Sequence, residues 1–352
     1  MINYRSILKS ALKRHRYHLG EQQLKESIKH LRVQKVLNQE EKAASSNAIC
    51  LANEECLNFY KYVTGNFDTR YVPCWLYGQL ENILNPGLYS AFAEHKCNLR
   101  FFVPEEHRPT TIIYKMSECI YNANNEIITT EEAKRLLKQE KQFVYKIASG
   151  TGGGAGVKFV DINDNPDFDK LLCSNNDFIV QQLIRQHEFM AGLSGGAVNT
   201  IRILSLNLNG RCSVLSAFVR MGGLKSRTDN VSGGGVCCGI NSEGHFADFG
   251  MNHDYDRTPY SPSGIALKGL RIDKYDKIVE FIEKTHRNFP KIHLIAWDVA
   301  LDEKLNPIII EVNLNCGRVI THQLFNGPVF GDRSQEVMDY YKTHSTTYWL
   351  KL

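Results

Sequence analysis

The chain has 352 residues, of which 43% are hydrophobic and 23% charged, so it is long enough to bury a sizeable core in two or three domains. Its formal net charge is only +4, and it has neither a zinc-ligand spacing nor an RNA-binding signature, which argues against a nucleic-acid partner. Ten scattered cysteines without a C-x-x-C pair indicate reduced thiols, and we find no signal peptide and no apolar run of membrane-spanning length, so we expect a cytoplasmic protein.

Helical spacing predicts that the first 65 residues form a basic helical region. Residues 1–36 hold nine Lys or Arg against two Glu. This excess would suit weak contact with an anionic bilayer or an acidic partner, but a solvated helix face explains it equally well. The residues that share a helical face are Ile7, Leu8, Ala11, Leu12, Leu24, Ile28, Leu31 and Lys35.

Turn signals and short aromatic-rich segments follow, and strand patterns begin after residue 110. Strands are predicted at TIIYK from 111, FVYKI from 143, VKFV from 157 and FIVQQLI from 178. A helix that starts near Thr130 lies between the first two. These elements predict a small mixed sheet backed by helices.

Two hairpins are predicted in the C-terminal half. Alternating apolar residues flank Asn209-Gly210, the strongest short hairpin signal. In HLIAWDVALDEKLNPIIIEVN, a turn centred between Lys304 and Leu305 would place Asp298 directly opposite Glu311. Asn313 would point to the same face, because side chains alternate along a strand.

Opposed carboxylates repel each other, and burial among apolar neighbours makes the repulsion worse. A cation between Asp298 and Glu311 would relieve it. A hard divalent ion with oxygen ligands and retained waters, Mg²⁺ by preference, fits this pair together with Asn313. The alternative is a strand whose outer face is acidic by chance.

A glycine-rich stretch, KIASGTGGGAGVKFV at 146–160, lies between two predicted strands. Its spacing fits neither G-x-x-x-x-G-K-[ST] nor G-x-G-x-x-G. Such a turn can fold over phosphates as a flap, because backbone N–H groups approach closely where no side chains intervene. Lys146 would supply positive charge beside it. A flexible surface hairpin is the alternative.

In this order the motifs resemble the ATP-grasp superfamily, over residues 90–330. IIIEVNLNCGRVITH is similar to the family's E-x-N stretch leading into a substrate loop, and VNTIRI and DNVSGGG most resemble the sugar-transfer-associated group of bacterial surface polysaccharide synthesis. The resemblance implies an α+β (mixed α/β) fold in which two α+β subdomains clasp ATP, after a helical N-terminal region.

The resemblance also implies roles for individual residues. The ATP-binding set is Lys96, Lys146, Gly152, Gly153, Gly154, Gln181, Gln182, Leu183 and Glu188. The metal set is Asp298, Glu311 and Asn313, and the catalytic set is Lys146, Arg202 and Arg220. The substrate set is Asn230, Gly234, Gly235 and Arg318.

Alternatives stay open for several of these residues. Lys115 competes with Lys96 as the first family lysine, and Glu188 has a solvated-acid alternative to its ribose role. Glutamines stand at the adenine hinge where the family commonly has an acid, although an amide can also accept from the adenine amino group. Arg202 and Arg220, near neighbours on paired strands, need an anion, which is either a ligand or an acid of the chain. Cys237, Cys238 and Cys316 have no paired His nearby and are expected to be buried thiols.

The resemblance implies an ATP- and Mg²⁺-dependent ligase that joins a carboxylate to an amine through an acyl phosphate, on a sugar or glycan precursor. Phosphoryl transfer to a hydroxyl and ATP binding without turnover are the alternatives. A homodimer is one assembly that the sequence allows, and the sequence does not decide the oligomeric state. The expected units are a helical region (1–65), the start of the catalytic domain (66–110), a flap subdomain (111–185) and a subdomain with the metal site and substrate loop (186–352).

Overall fold

The computed structural model describes residues 22, 24–46, 52–315 and 318–350, with side chains as far as residue 345. The predicted helix face at Ile7, Leu8, Ala11 and Leu12 lies outside this range. Residues 24–30 form helix α1, but the chain turns at Arg32, whose φ is 49°, and residues 33–38 are not helical. The helical spacing predicted through Lys35 is therefore wrong at that residue.

Further helices occupy the region before the first strand. They include the aromatic-rich segments after residue 65, for which the sequence predicted no helix or strand. Helix α3 begins after Asn53, whose side chain accepts a hydrogen bond from Cys56 N, and ends at Gly65 with φ 79°. Pro73 and Pro86 precede the next two helices. The helices are α2 (Gln39–Ser45), α3 (Glu54–Thr64), α4 (Cys74–Leu84) and α5 (Gly87–Ala93), followed by 3₁₀ turns Lys96–Phe101 and Glu105–His107.

A six-stranded sheet, called the small sheet, contains all four strands predicted between 111 and 182. Its order is β3-β2-β1-β6-β4-β5, and every pairing is antiparallel, so the expectation of a mixed sheet is wrong. Two of its six strands, β2 and β3, were not predicted. The strands are β1 (Thr111–Met116), β2 (Cys119–Asn122), β3 (Ile127–Ile128), β4 (Gln142–Ile147), β5 (Val157–Asp161) and β6 (Phe178–Gln182).

Two helices cover one face of the small sheet. The predicted helix is α6 (Thr130–Gln139), and Thr129 caps it by accepting from Glu132 N. With α7 (Phe168–Leu172) it packs on a cluster that includes Phe143 and Phe178. The opposite face, which carries Lys146, is left for the site described below.

A seven-stranded antiparallel sheet, called the large sheet, has the order β11-β10-β9-β8-β7-β12-β13. Its strands are β7 (Thr200–Leu208), β8 (Arg211–Met221), β9 (Val236–Ile240), β10 (Phe246–Met251), β11 (Arg257–Thr258), β12 (Leu294–Leu301) and β13 (Pro307–Asn313). The accompanying helices are α8 (Glu188–Gly192), α9 (Tyr275–His286), α10 (Val319–Asn326) and α11 (Ser334–Leu350), with 3₁₀ turns Val231–Gly233 and Gly331–Arg333. A further 3₁₀ turn, Ile162–Asp164, follows β5 of the small sheet.

The predicted hairpins join β7 to β8 and β12 to β13. Asn209 and Gly210 have φ values of 51° and 76°, as a type I′ turn requires, and Leu208 pairs with Arg211 across it. In the second hairpin Leu301 pairs with Pro307, so the turn is centred on Lys304, half a residue from the predicted centre.

Helices pack on both faces of the large sheet, which confirms the α+β class. One face packs with α9 around Ile278, Ile282 and Trp297. The other packs with α3, α4 and α10. The small sheet spans 111–182 and the large sheet 200–313, while the finer domain bounds stay a prediction. Within the described ranges no helix is long and apolar enough to cross a membrane.

A buried hydrogen-bond network joins the large sheet to α9. Ser205 Oγ lies 2.7 Å from His286 Nδ1 and accepts from Trp297 Nε1 at 2.7 Å, while His286 Nε2 lies 3.2 Å from Ile292 O. Both ring nitrogens of His286 are therefore bonded as in a neutral imidazole. Burial lowers the pKa of His286 to about 3, although the bond to Ile292 opposes this shift.

The free energy of unfolding should therefore fall in acid, because His286 must become protonated. The folded-state pKa lies below the ordinary value of 6.5, so the contribution of neutral His286 is complete above that value and is lost as pH falls toward 3. We expect the free energy of unfolding, measured in urea, to lose roughly 1 kcal/mol per pH unit from this group. His286→Gln should flatten that part of the profile, whereas His253→Gln on the surface should unfold like the wild type at pH 7. An equally steep profile in His286→Gln would contradict the assignment.

Candidate active site

Two carboxylates occupy opposed positions on β12 and β13. Asp298 pairs with Glu311, and Ala296 pairs with Asn313, so the predicted cross-strand pairing is confirmed. The register shifts between Asp298 and Val299, because Ile310 is an extra residue on β13. The extra residue restores the predicted pairing of Asp298 with Glu311, although the turn itself is centred half a residue earlier than predicted. Asn313 Nδ2 lies 3.5 Å from Asp298 Oδ2, so the three predicted metal ligands are adjacent.

Two arginines on neighbouring strands bind Asp298. Arg202 pairs with Asp298 across β7 and β12, and it donates from Nε to Oδ1 at 2.5 Å and from Nη2 to Oδ2 at 3.1 Å. Arg220 donates to Oδ2 at 3.0 Å and lies 3.2 Å from Asp229. Arg220 pairs with Thr200, two positions from Arg202, as the near-neighbour prediction requires. Of the two alternatives for the anionic partner, a ligand or an acid of the chain, both arginines therefore have an acid of the chain in this structure.

Burial and neighbouring charges shift the two carboxyl groups in opposite directions. Burial acts to raise the pKa of Asp298, but Arg202 and Arg220 outweigh it and the pKa is lowered. Burial and the charge of Asp298 raise the pKa of Glu311, although Lys96 opposes the shift. The repulsion predicted for this pair therefore raises the pKa of Glu311 and not that of Asp298.

Two lysines complete the site, Lys96 from the 3₁₀ turn Lys96–Phe101 and Lys146 from the small sheet. Lys96 Nζ lies 3.3 Å from Glu311 Oε2. Lys146 on β4 is only 8% exposed, and no ion pair joins it to the residues that the structure describes. Burial lowers the pKa of Lys146 to about 8, with Glu311 opposing and Lys96 adding to the shift. Lys115, the competitor of Lys96, instead donates to Ser174 O at 2.7 Å, and on β1 it alternates with Tyr114, which packs on the cleft side.

The predicted flap lies against the predicted substrate loop. Asn230 Nδ2 donates to Gly153 O at 2.9 Å, and a Cβ on Gly154 would lie 3.4 Å from Thr228. Gly153 and Gly154 both have positive φ, whereas Gly152 does not. In the loop, a Cβ on Gly235 would come within 2.4 Å of Met221 O, so this position requires glycine, while Gly234 faces open space.

The predicted adenine and ribose residues occupy different surroundings. Gln181 is buried on the cleft side of β6, level with Val144 and near Lys146. Gln182 points to the opposite face, where it donates to Glu140 Oε1 at 2.9 Å. Leu183 follows β6, and Glu188 is exposed as the first residue of α8, so neither side chain joins the charged cluster. Arg318 is exposed just before α10.

One acid in the site was not among the predicted site residues. Asp229 accepts from Thr200 Oγ1 and pairs with Arg220. Burial raises its pKa, although Arg220 opposes the shift. Its position directly before Asn230 was the available sequence signal. Burial also raises the pKa of Cys237 to about 11 and that of Cys238 to about 12, which fits unreactive thiols, while Cys316 lies outside the described residues.

The site carries more positive than negative groups. Three carboxylates (Asp229, Asp298, Glu311) face four cations (Lys96, Lys146, Arg202, Arg220). Lys146 is the cation without a carboxylate among these groups, and a buried ammonium without an anion is costly. The arrangement is therefore suited to an added anion near Lys146.

The donor set of Asp298, Glu311 and Asn313 fits a hard divalent cation. All three can offer oxygen, and a flip of the Asn313 amide would turn its oxygen toward the carboxylates. Among the described residues no three Asp, Glu, His or Cys side chains gather as metal ligands. Two carboxylates and one amide suit Mg²⁺, which keeps several waters, and a cation would relieve the charge repulsion at Glu311.

Comparisons with known proteins give one family and several distant structures. The family described as sugar-transfer associated ATP-grasp matches residues 115–339, and no curated protein matches the chain. The ATP-grasp ligase PsnB complexed with minimal precursor has 10% identity and a TM-score of 0.43, covering 73% of this chain and 64% of that one. The chain thus spans less than two thirds of the length of PsnB.

Two further structures are similarly distant. D-alanyl-alanine synthetase A from Vibrio cholerae O1 biovar eltor has 12% identity and a TM-score of 0.43, with 73% of this chain and 66% of that chain covered. The L-amino acid ligase from Bacillus licheniformis has 14% identity and a TM-score of 0.37, with 65% and 42% covered.

The two carboxylates should differ sharply in their effect on stability. Asp298→Asn leaves Arg202 and Arg220 buried with a weaker partner, and we expect a loss of about 3 kcal/mol in the free energy of unfolding, measured in urea. Glu311→Gln removes a repelled charge, so its loss should stay below about 1 kcal/mol. Equal losses in the two variants would contradict the charge arrangement described above.

Proposed function

Because the chain belongs to the sugar-transfer associated ATP-grasp family, we propose that it is an ATP- and Mg²⁺-dependent ligase that joins a carboxylate to an amine through an acyl phosphate. The observation that carries this proposal is Lys146. It is a buried lysine without an ion pair in the described part of the chain, next to a carboxylate pair and beside a glycine-rich turn. A phosphate group would supply the missing anion.

ATP would lie between the two sheets. Lys96 and Lys146 would bind its phosphates together with backbone N–H groups at Gly152, Gly153 and Gly154. The adenine would lie near Gln181 and the backbone of Leu183. Gln182 points away from this cleft, so its side chain is not part of the proposed adenine site, and Glu188 keeps its proposed ribose role only if the ligand extends to the start of α8.

Asp298, Glu311 and Asn313 would hold Mg²⁺. Bound there, Mg²⁺ would supply charge neutralisation for the β- and γ-phosphates. Arg202 and Arg220 fix the orientation of Asp298 from the opposite side. Both arginines also keep N–H groups that can meet a carboxylate or phosphoryl oxygen, since a guanidinium has five donors.

The chemistry would take place in two steps. The γ-phosphoryl group leaves ADP and bonds to an oxygen of the substrate carboxylate, while Lys146 and Arg220 stabilise the charge. The amine then attacks the carbonyl carbon, and phosphate leaves as the amine loses a proton. The hydrogen bond from Asn230 to Gly153 supports a flap that would cover this space and protect the acyl phosphate from water.

The substrate would bind on the far side of the flap from the adenine. Asn230, Gly234, Gly235 and Arg318 are the proposed contacts, with Arg318 able to hold a carboxylate as a bidentate fork. The family description associates this chain with sugar transfer, which supports a sugar or glycan precursor as the carboxylate substrate. A role in surface polysaccharide synthesis in the cytoplasm is part of the same proposal, as is a homodimeric assembly.

Hydroxylamine trapping tests the acyl phosphate directly. With ATP, Mg²⁺ and a panel of uronic acids and amino acids, the protein should release ADP and form a hydroxamate from one carboxylate. Asp298→Asn and Glu311→Gln should each lower this rate at least about a hundredfold. ADP formation that survives both substitutions would contradict the metal assignment, and a phosphorylated hydroxyl without hydroxamate would make the protein a kinase.

Nucleotide affinity should depend on the charge of Lys146. Its pKa of about 8 in the ligand-free chain means that the charged fraction falls as pH rises above that value. Between pH 7.5 and 9.5 the dissociation constant of Mg-ATP, measured by calorimetry, should therefore rise, approaching about tenfold per pH unit at the upper end. Lys146→Arg should bind with a flatter profile, because arginine stays charged. The same slope in both proteins would contradict the assignment.

A further inference from the structure

Successive residues of the segment 94–97 contact the large sheet side and the small sheet side of the site. Glu94 is bonded to the chain just after β13: Oε1 accepts from Leu314 N at 2.6 Å, and Oε2 accepts from Asn315 Nδ2 at 3.3 Å. Leu314 lies one residue beyond Asn313, so Glu94 is bonded directly after the strand that carries two of the proposed metal ligands.

The next residue contacts the small sheet. His95 Nε2 lies 3.2 Å from Asp177 Oδ2, and the other oxygen of Asp177 accepts from Ser117 N at 2.7 Å. Asp177 immediately precedes β6, and its carboxylate fixes the turn between β1 and β2 as well. His95 Nδ1 is buried without a hydrogen-bond partner among the described residues, so the bond through Nε2 alone orients the ring.

Lys96 joins both sheets by itself. Its backbone N donates to Ala148 O at 2.9 Å, and Ala148 N donates to Asp177 O at 2.9 Å. Ala148 is the residue between β4 and the glycine flap, while the Lys96 ammonium reaches Glu311 on the large sheet. Cys97 Sγ then donates to Phe178 O at 3.5 Å, again on the small sheet.

We propose that Glu94 and His95 are positioning residues, which set the Lys96 ammonium and the base of the flap relative to Glu311. The proposal rests on the proposed function, since Lys96 is assigned there to the phosphates of ATP. A lysine has a long flexible stem, so its ammonium is held in place only if the backbone on both sides is fixed. Glu94 fixes that backbone to β13, and His95 fixes it to the start of β6. Misplacement by about 1 Å is enough to weaken such a contact strongly.

A double-mutant cycle on Mg-ATP affinity tests the proposal. Glu94→Ala and His95→Phe should each weaken binding about tenfold, and Lys96→Ala by at least as much. In the Lys96→Ala background the two substitutions should change the dissociation constant less than about twofold, because they act through that lysine. Glu105→Ala, an exposed acid on the following 3₁₀ turn, is the matched control and should bind like the wild type.

Two readouts separate positioning from general stability. His95→Gln keeps a side-chain donor and should recover most of the affinity lost in His95→Phe, and amide exchange at Leu314 should speed up in Glu94→Ala without global unfolding. Effects that add fully in the Lys96→Ala background, or a His95→Gln no better than His95→Phe, would overturn the positioning role while leaving ATP binding intact. A wild-type chain that binds no ATP would instead overturn the proposed function, and the positioning role with it.

Discussion

A row of charged side chains across three adjacent strands is the constraint on which the site depends. Arg202, Asp298 and Glu311 stand level with one another on β7, β12 and β13, and all belong to one face of the large sheet. Asp298 is 3% exposed and bonded to two arginines, so its charge is fully compensated. Burial and the charge of Asp298 raise the pKa of Glu311, and this shift is opposed by an ion pair with Lys96, from another part of the chain, and by the charge of Arg202. The large sheet therefore has a carboxylate whose ion-pair partner comes from the 3₁₀ turn Lys96–Phe101, outside both sheets.

Lysines outside the large sheet lie close to this carboxylate pair. Lys96 and Lys146 approach Glu311 from the small-sheet side, and each lowers the cost of burying an acid on the other side. The positive charges still exceed the negative charges by one among these side chains, at Lys146. A fold that left a buried lysine without an anion would be less stable than one with an apolar residue there. Its presence is most simply explained by a phosphate ligand, as in the proposed function.

Sequence patterns predicted much of this fold. In one hairpin the predicted pairing is correct because an error in the turn centre is offset by a bulge that was not predicted. The Asn209-Gly210 hairpin was predicted from its turn chemistry and from the alternating apolar residues on both sides, and both turn residues have the positive φ that this turn requires. The pairing of Asp298 with Glu311 was also predicted, but from a turn centre that is wrong by half a residue. The bulge at Ile310 restores the register. A bulge has no reliable sequence signal, so a register that depends on one cannot be derived from periodicity.

Several contacts made by the site residues could not be predicted from the sequence. From the sequence Lys96 was assigned as the first family lysine, with Lys115 as its competitor. Tertiary contacts separate the two, because Lys96 reaches Glu311 whereas Lys115 reaches Ser174 O on the opposite face. The contacts of Glu94 and His95 join residues more than eighty positions apart. Asp229 meets Arg220 from the loop between β8 and β9, whose course no local pattern encodes.

The sequence by itself determined eight of the strands, the two hairpins that contain four of them, the glycine-rich turn and the identity of the acids and amide proposed for the metal. These follow from side-chain alternation, turn chemistry and donor type within short segments. The tertiary structure decided which cations meet which carboxylates, which glutamine faces the cleft and how residues 94–97 join the two sheets. Those outcomes depend on distances between segments far apart in the chain, and such distances are fixed only when the whole core packs.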